Sequence, residues 1–163
     1  MTRAARQRLW LLLGVAVLLA LALWQARRDR ATAPGTLLGL DPATVSRIEL
    51  RLGHGTALRY ARRDGHWWRT DGTPARMDDA RIDALAGIAA APVEHWRPAG
   101  DLDPAKVGLA PPRAVLMLDG HALRFGGVAA IGHRCYVQYG TRVALVSLRY
   151  MPQVPRDEKL ALH

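Results

Sequence analysis

Only one cysteine, Cys135, occurs in the 163 residues, so no intramolecular disulfide can form and cysteine usage leaves the redox compartment unread. Metal-ligand spacing is also missing. His54, His66, His95, His121, His133 and His163 are scattered, with no pair at the close helical or Cys-linked separation of a zinc site. The glycines at 126 and 127 have neither the G-x-G-x-x-G pattern nor a following Lys-Ser/Thr, so residues 125–132 read as a loop between strands rather than a phosphate cradle. The paired acids have local explanations: Asp78 and Asp79 suit a helix cap and its first turn, and Asp101 and Asp103 read as solvated in a loop bounded by Pro and Gly. His133 and Cys135, two residues apart, come nearest to a base and a nucleophile. They lack a third orienting group, and Cys135 reads as a small buried hydrophobe. No catalytic residue, metal ligand or cofactor is expected, and the chain reads as a non-enzyme.

Long basic runs are absent beyond residue 30. The formal charge is +9, but six Arg and one Asp among the first 30 residues hold +5 of it and leave +4 for the rest. In the remainder Arg and Lys are dispersed, without the aromatic-interleaved basic pattern of single-strand binders. Nucleic acid is therefore not an expected partner.

What is present begins with residues 9–24, sixteen positions without a charge, eight of them Leu. At about −0.5 kcal/mol per central Leu, membrane insertion is favoured by roughly 4 kcal/mol before the other residues are counted. As a helix rising about 1.5 Å per residue the run covers roughly 24 Å, or about 27 Å with Gln25 and Ala26, near a hydrocarbon core of about 30 Å. Leu9, Trp10, Leu13, Leu18, Leu23 and Trp24 are the expected anchor residues; Arg3, Arg6 and Arg8 flank one end, and Arg27, Arg28 and Arg30 the other. Snorkelling arginines close the shortfall in length. A cleaved signal peptide is the competing reading, but a cut after Ala20-Leu21-Ala22 falls inside the apolar run, before Leu23 and Trp24. A buried core helix is opposed by the arginines at both ends. The flanking charge is nearly symmetric, and the free amine and Asp29 tip the N-terminus inward. A single-pass protein of a bacterial inner membrane is expected, N-terminus cytoplasmic and C-terminal domain periplasmic.

Residues 1–8 form the basic flank, 9–26 the anchor and 27–35 a linker. That linker reaches about 15–18 Å if it behaves as a flexible coil. In residues 45–52, Ile48, Leu50 and Leu52 alternate with Arg47, Glu49 and Arg51, as a half-exposed strand requires. Residues 56–62 and 66–69 extend the pattern around an Asp64-Gly65 hairpin, giving a three-stranded meander. Asp78 then caps a helix whose Ile82, Leu85, Ile88 and Ala89 share a face, weakened by Gly87 and ended by Pro92. A second meander runs through 114–118, 122–125, 135–139 and 143–148, with turns at Asp119-Gly120 and Gly140-Thr141. The expected class is α+β: an N-terminal transmembrane helix, then an antiparallel meander, one helix and a second meander over residues 36–150, with an irregular tail at 151–163.

The order of these landmarks resembles domain-of-unknown-function family 4340. The matching residues are 45–50, then Asp64-Gly65-His66-Trp67 with Pro74, the helix through Ile82 and Leu85, residues 107–112, the strand-turn-strand at 115–125, and 134–137 leading to 143–146. The resemblance covers about residues 36–150. It implies a membrane-anchored bacterial protein in the company of ABC-type transport permeases or gliding-type auxiliary components, and it implies no catalytic residues.

Three tryptophans belong to the domain. Trp67 and Trp68, adjacent on a strand, must face opposite sides, and with Trp96 they are the candidate partner-binding residues. The expected function is an accessory or scaffold protein contacting the bilayer and a membrane-protein partner. The alternative is a domain that binds an envelope ligand such as a glycan, lipid or small molecule.

Overall fold

The computed structural model describes residues 13–25 and 35–155, and the chain divides into two compact units, Met1–Ala33 and Pro34–His163. In the first, residues 13–25 form helix α1, with Leu13, Leu18, Leu23 and Trp24 all more than half exposed. Among the described residues no helix is long and apolar enough to cross a membrane. The expected anchor is only partly covered: Leu9, Trp10 and the flanking Arg3, Arg6, Arg8, Arg27, Arg28 and Arg30 lie outside the described residues, as do most of the linker and residues 156–163.

The second unit is α+β and antiparallel. Its strands are β1 (Gly35–Thr36), β2 (Arg47–Leu52), β3 (Leu58–Arg63), β4 (His66–Arg69), β5 (Ala75–Arg76), β6 (Pro92–Val93), β7 (Trp96–Pro98), β8 (Ala114–Leu118), β9 (His121–Val128), β10 (Arg134–Tyr139) and β11 (Arg142–Ser147), with helix α2 (Asp79–Ala86) between β5 and β6. The two expected meanders are one sheet of nine strands, ordered β5-β4-β3-β2-β8-β9-β10-β11-β7. Strand β2 joins them, pairing Ile48 with Leu118 and Leu50 with Leu116. Asp119 fastens the seam, its carboxylate accepting from the Ser46 and Arg47 backbone N–H groups, at 2.8 Å for Arg47, and from the Ser46 hydroxyl.

Hairpin chemistry explains the turns. Asp64 and Gly65 have φ of 51° and 79°, and Asp119 and Gly120 have 46° and 89°; left-handed conformation at both central positions matches the twist of the flanking strands. Alternation then decides the faces. Ile48, Leu50, Tyr60, Trp67, Leu116, Leu118, Leu123, Phe125, Val137 and Val146 are buried on one side with Ile82, Leu85 and Ala86 of α2. Each fully buried Leu, Ile or Phe contributes about 1.5–3 kcal/mol relative to exposure.

Two local expectations are corrected. The Asp78 side chain caps α2 by accepting from the Ala80 N–H at 3.0 Å, but the α-helix stops at Ala86. Gly87–Ala90 continue as a 3-10 turn that still buries Ile88 and Ala89, because glycine weakens the α-helix and the tighter turn keeps the same apolar face inward. Gly126 and Gly127 are not in a loop. They lie within β9 where its register with β10 shifts, and the Gly127 N–H donates to the Val107 carbonyl at 2.7 Å. Glycine is required there because the connection from β7 to β8 crosses against the strand: a Cβ on Gly126 would stand 2.5 Å from the Val107 oxygen.

Candidate functional site on the outer face of the sheet

Residues that alternate with the core positions point away from it. On β2 these are Arg47, Glu49 and Arg51; on β3, Arg59, Ala61 and Arg63; on β4, Trp68; on β8, Val115 and Met117; on β9, Ala122 and Arg124. None of them is buried. The charge is sharply sorted. Glu49 is the only acidic residue on the nine strands among the described residues, whereas arginine occurs on every one except β8. Glu49 is paired with Arg59 across the strands at 3.1 Å, and Glu94, preceding β7, is held by both terminal nitrogens of Arg134 at 2.9 and 3.1 Å. The remaining acids among the described residues sit in turns, loops and α2; Asp41, Asp78 and Asp103 accept from nearby backbone N–H groups, while Asp71 and Asp83 hold the side chains of Arg69 and Arg62.

Toward β7 the outer face ends in a cleft of about 350 Å³. Tyr136, Val143 and Leu145 line it with Leu102 from the crossing connection, and Glu94, His95, Arg97 and Arg134 ring it. This size lies at the lower end of small-ligand pockets.

The three candidate tryptophans separate. Trp67 is wholly buried and Trp96 is 4 % exposed, so both are core, while Trp68 is half-buried on the outer face beside Ala61. Trp67 is also anchored by polar contacts. Its indole N–H donates to Asp83 at 2.8 Å, and its backbone N–H donates to Asp79 at 2.7 Å. His66 Nδ1 stands 2.8 Å from the other Asp79 oxygen. Led by the Trp67 N–H and reinforced by His66, these contacts hold the Asp79 carboxyl below the ordinary carboxylate range. A depressed carboxylate stabilises the fold above its unfolded pKa, and that contribution disappears as pH falls through the folded value. Asp79→Asn is therefore expected to lower the thermal midpoint at neutral pH and to lose less than the parent on acidification below about pH 4. Melting curves across that range check it; parallel curves for both proteins would contradict it.

His133 and Cys135 do not form a nucleophilic pair. His133 is exposed at a left-handed turn with φ of 46°, while Cys135 faces the core with no exposed surface. Burial pushes its thiol up to about 11. At pH 8 the native thiol is expected to react with a disulfide reagent about two orders of magnitude more slowly than in the unfolded chain; equal rates would contradict its placement. The other histidines are equally dispersed: His121 contacts the Tyr139 hydroxyl at 2.9 Å, and His54 and His95 are exposed. Among the described residues no group of three or more His, Cys, Asp or Glu side chains stands together to hold a metal.

Sequence reasoning singled out the tryptophans and missed the arginines. Each arginine reads alone as an ordinary outward strand residue, and only strand order and register show how they line up. No family model, curated protein or solved structure matches the chain, so the resemblance to family 4340 rests on the residues quoted for it.

Proposed function

We propose that this chain is a membrane-tethered accessory protein, not an enzyme, whose domain docks onto a membrane-protein partner through the outer face of its sheet. The observation that carries this reading is the face itself, where arginines surround half-buried Met117, Val115 and Trp68. Arg, Met and aromatic residues are the types enriched at protein interfaces. The tether is residues 9–26. The exposed apolar side chains of α1 support it, because an apolar helix left in water is unfavourable and one in lipid is not. With that tether the protein is read as a single-pass protein of a bacterial inner membrane with a periplasmic domain, and the family resemblance makes an ABC-type permease the first partner to try.

Purification of the full chain in mild detergent tests this. An integral membrane protein is expected to co-purify in defined stoichiometry and to be lost when Met117→Asp places a charge in the middle of the face. Recovery of the chain without a partner, or a partner indifferent to that substitution, would contradict the reading. The cleft beside β7 favours a second reading, an envelope ligand domain for a glycan, lipid or small molecule.

A further inference from the structure

Register arranges the outer face into a line that runs across the strands. Arg51 lies opposite Val115, Val115 opposite Arg124, Arg124 opposite Gln138, Gln138 opposite Val143, and Val143 opposite Arg97. The line passes from β2 at the middle of the sheet through β8, β9, β10 and β11 to the edge strand β7; at β11 it dips, because Val143 is buried and forms the floor of the cleft, whose rim includes Arg97. Its three cations, Arg51, Arg124 and Arg97, are exposed, and none has an ion-pair partner among the described residues.

We infer that this line is the docking track for an extended, carboxylate-rich segment of the partner, with the cleft receiving an apolar residue at its end. The inference rests on the proposed function and names the chemistry its partner must carry. Strands lie about 4.8 Å apart, so the Arg51 and Arg124 backbones are separated by about 10 Å, and those of Arg124 and Arg97 by about 14 Å. An extended chain advancing about 3.3 Å per residue spans these gaps in about three and about four residues; since its side chains alternate, acidic residues at even separations, about two or four apart, face the track together, and the long arginine and glutamate side chains take up the difference. Guanidinium groups suit this use, since each presents a planar fork that binds a carboxylate through two hydrogen bonds.

Phosphate headgroups offer the same charge but fit less well. Val115, Gln138 and Val143 interrupt the cations along the track, and the cleft walls of Leu102, Tyr136 and Leu145 present apolar surface for which a plane of headgroups has no side chain. A peptide alternates acidic and apolar groups at this spacing. A sheet also twists by about 20–25° per strand, so a flat bilayer cannot follow a line crossing six strands, whereas a peptide can.

The test uses the full chain in neutral phosphatidylcholine nanodiscs and a fluorescent oligoglutamate peptide of about ten residues, long enough to span the track. Saturable binding is expected, weakening at least tenfold between low and physiological salt. It is expected to fall at least tenfold again in the triple variant Arg51→Gln, Arg97→Gln, Arg124→Gln. A second triple variant, Arg76→Gln, Arg81→Gln, Arg149→Gln, removes equal charge away from the track, at the opposite sheet edge, on α2 and in the turn after β11, and is expected to bind as the parent does. Both variants should melt within a few degrees of the parent, which separates lost binding from lost folding.

Equal loss in the two triple variants would overturn the track in favour of general charge attraction. Binding to phosphatidylglycerol vesicles but not to the peptide would overturn it in favour of a lipid surface, and binding to neither would overturn it outright. A membrane protein that still co-purifies with the first triple variant would sink the track and leave the proposed function standing. Peptide binding without any co-purifying membrane protein would sink the proposed function instead.

Discussion

Trp67→Ala is expected to cost about 3–5 kcal/mol of folding stability, the range for removing a buried aromatic side chain. In a domain of this size that lowers the melting midpoint by on the order of 15 °C. Trp67 has no exposed surface and stands among the largest side chains of the core. Removing it leaves a cavity where β4 meets α2, takes the Arg62 guanidinium's partner ring from 4.9 Å away, and strips Asp83 of its indole donor. Asp83 keeps its ion pair with Arg62, so the loss is mainly that of packing. Trp68→Ala, one residue along and on the other face, is expected to cost well under half as much. Paired denaturation of the two variants decides the point: a loss from Trp68→Ala as large as or larger than that from Trp67→Ala would contradict this assignment of the faces of β4.

Gly126→Ala is the second large effect. The added methyl would lie 2.5 Å from the Val107 carbonyl oxygen and 3.0 Å from Leu109 Cγ. The obstruction is backbone, which cannot swing aside while the Gly127 N–H holds the same carbonyl. A loss of about 3 kcal/mol is expected, at the upper end for overpacking, with faster amide exchange at Gly127 as the connection lifts from β9. Gly72→Ala, where nothing lies within 4 Å of the new methyl, serves as the control and should stay within about 0.5 kcal/mol of the parent. A stable Gly126→Ala protein would show that the connection does not press on the strand.

The strands that make up most of the sheet were legible because their signal is local. In Arg47-Ile48-Glu49-Leu50 alternation alone assigns the faces, and Asp64-Gly65 and Asp119-Gly120 announce hairpins through the backbone conformations they tolerate. Strands of two or three residues, β1, β5, β6 and β7, carry too few positions for a period; β5 forms only by pairing back on β4, and β1, β6 and β7 exist only through partners distant in sequence. The fusion of the two meanders was hidden for the same reason. It depends on β2 meeting β8 and on Asp119 reaching Ser46, 73 positions away. Periodicity overshoots the end of α2 by one turn, because the apolar spacing continues through Ile88 and Ala89 while the backbone changes type at Gly87.

The candidate site was legible to a lesser degree. Adjacent Trp67 and Trp68 had to face opposite ways, but which of them met the core depended on the pairing of Arg62 with Trp67 and of Ala61 with Trp68. Arg51, Arg97 and Arg124 come from three separated stretches, and no window of sequence contains them together. Their alignment arises from register, which composition and spacing do not record. Cys135 and the glycines at 126 and 127 are residue types that chemistry also uses, and here both serve packing: the thiol fills the core, and the glycines admit a crossing backbone.

The central claim is that the outer face of a membrane-held domain meets a membrane protein. It is tested most directly by photocrosslinking in intact cells, with a benzophenone side chain in place of Met117 in the full chain and, separately, in place of the exposed Ala84 on α2. The expected result is a discrete adduct with an integral membrane protein from position 117 and none from position 84. An adduct from position 84 alone, or none from either position, would contradict the claim.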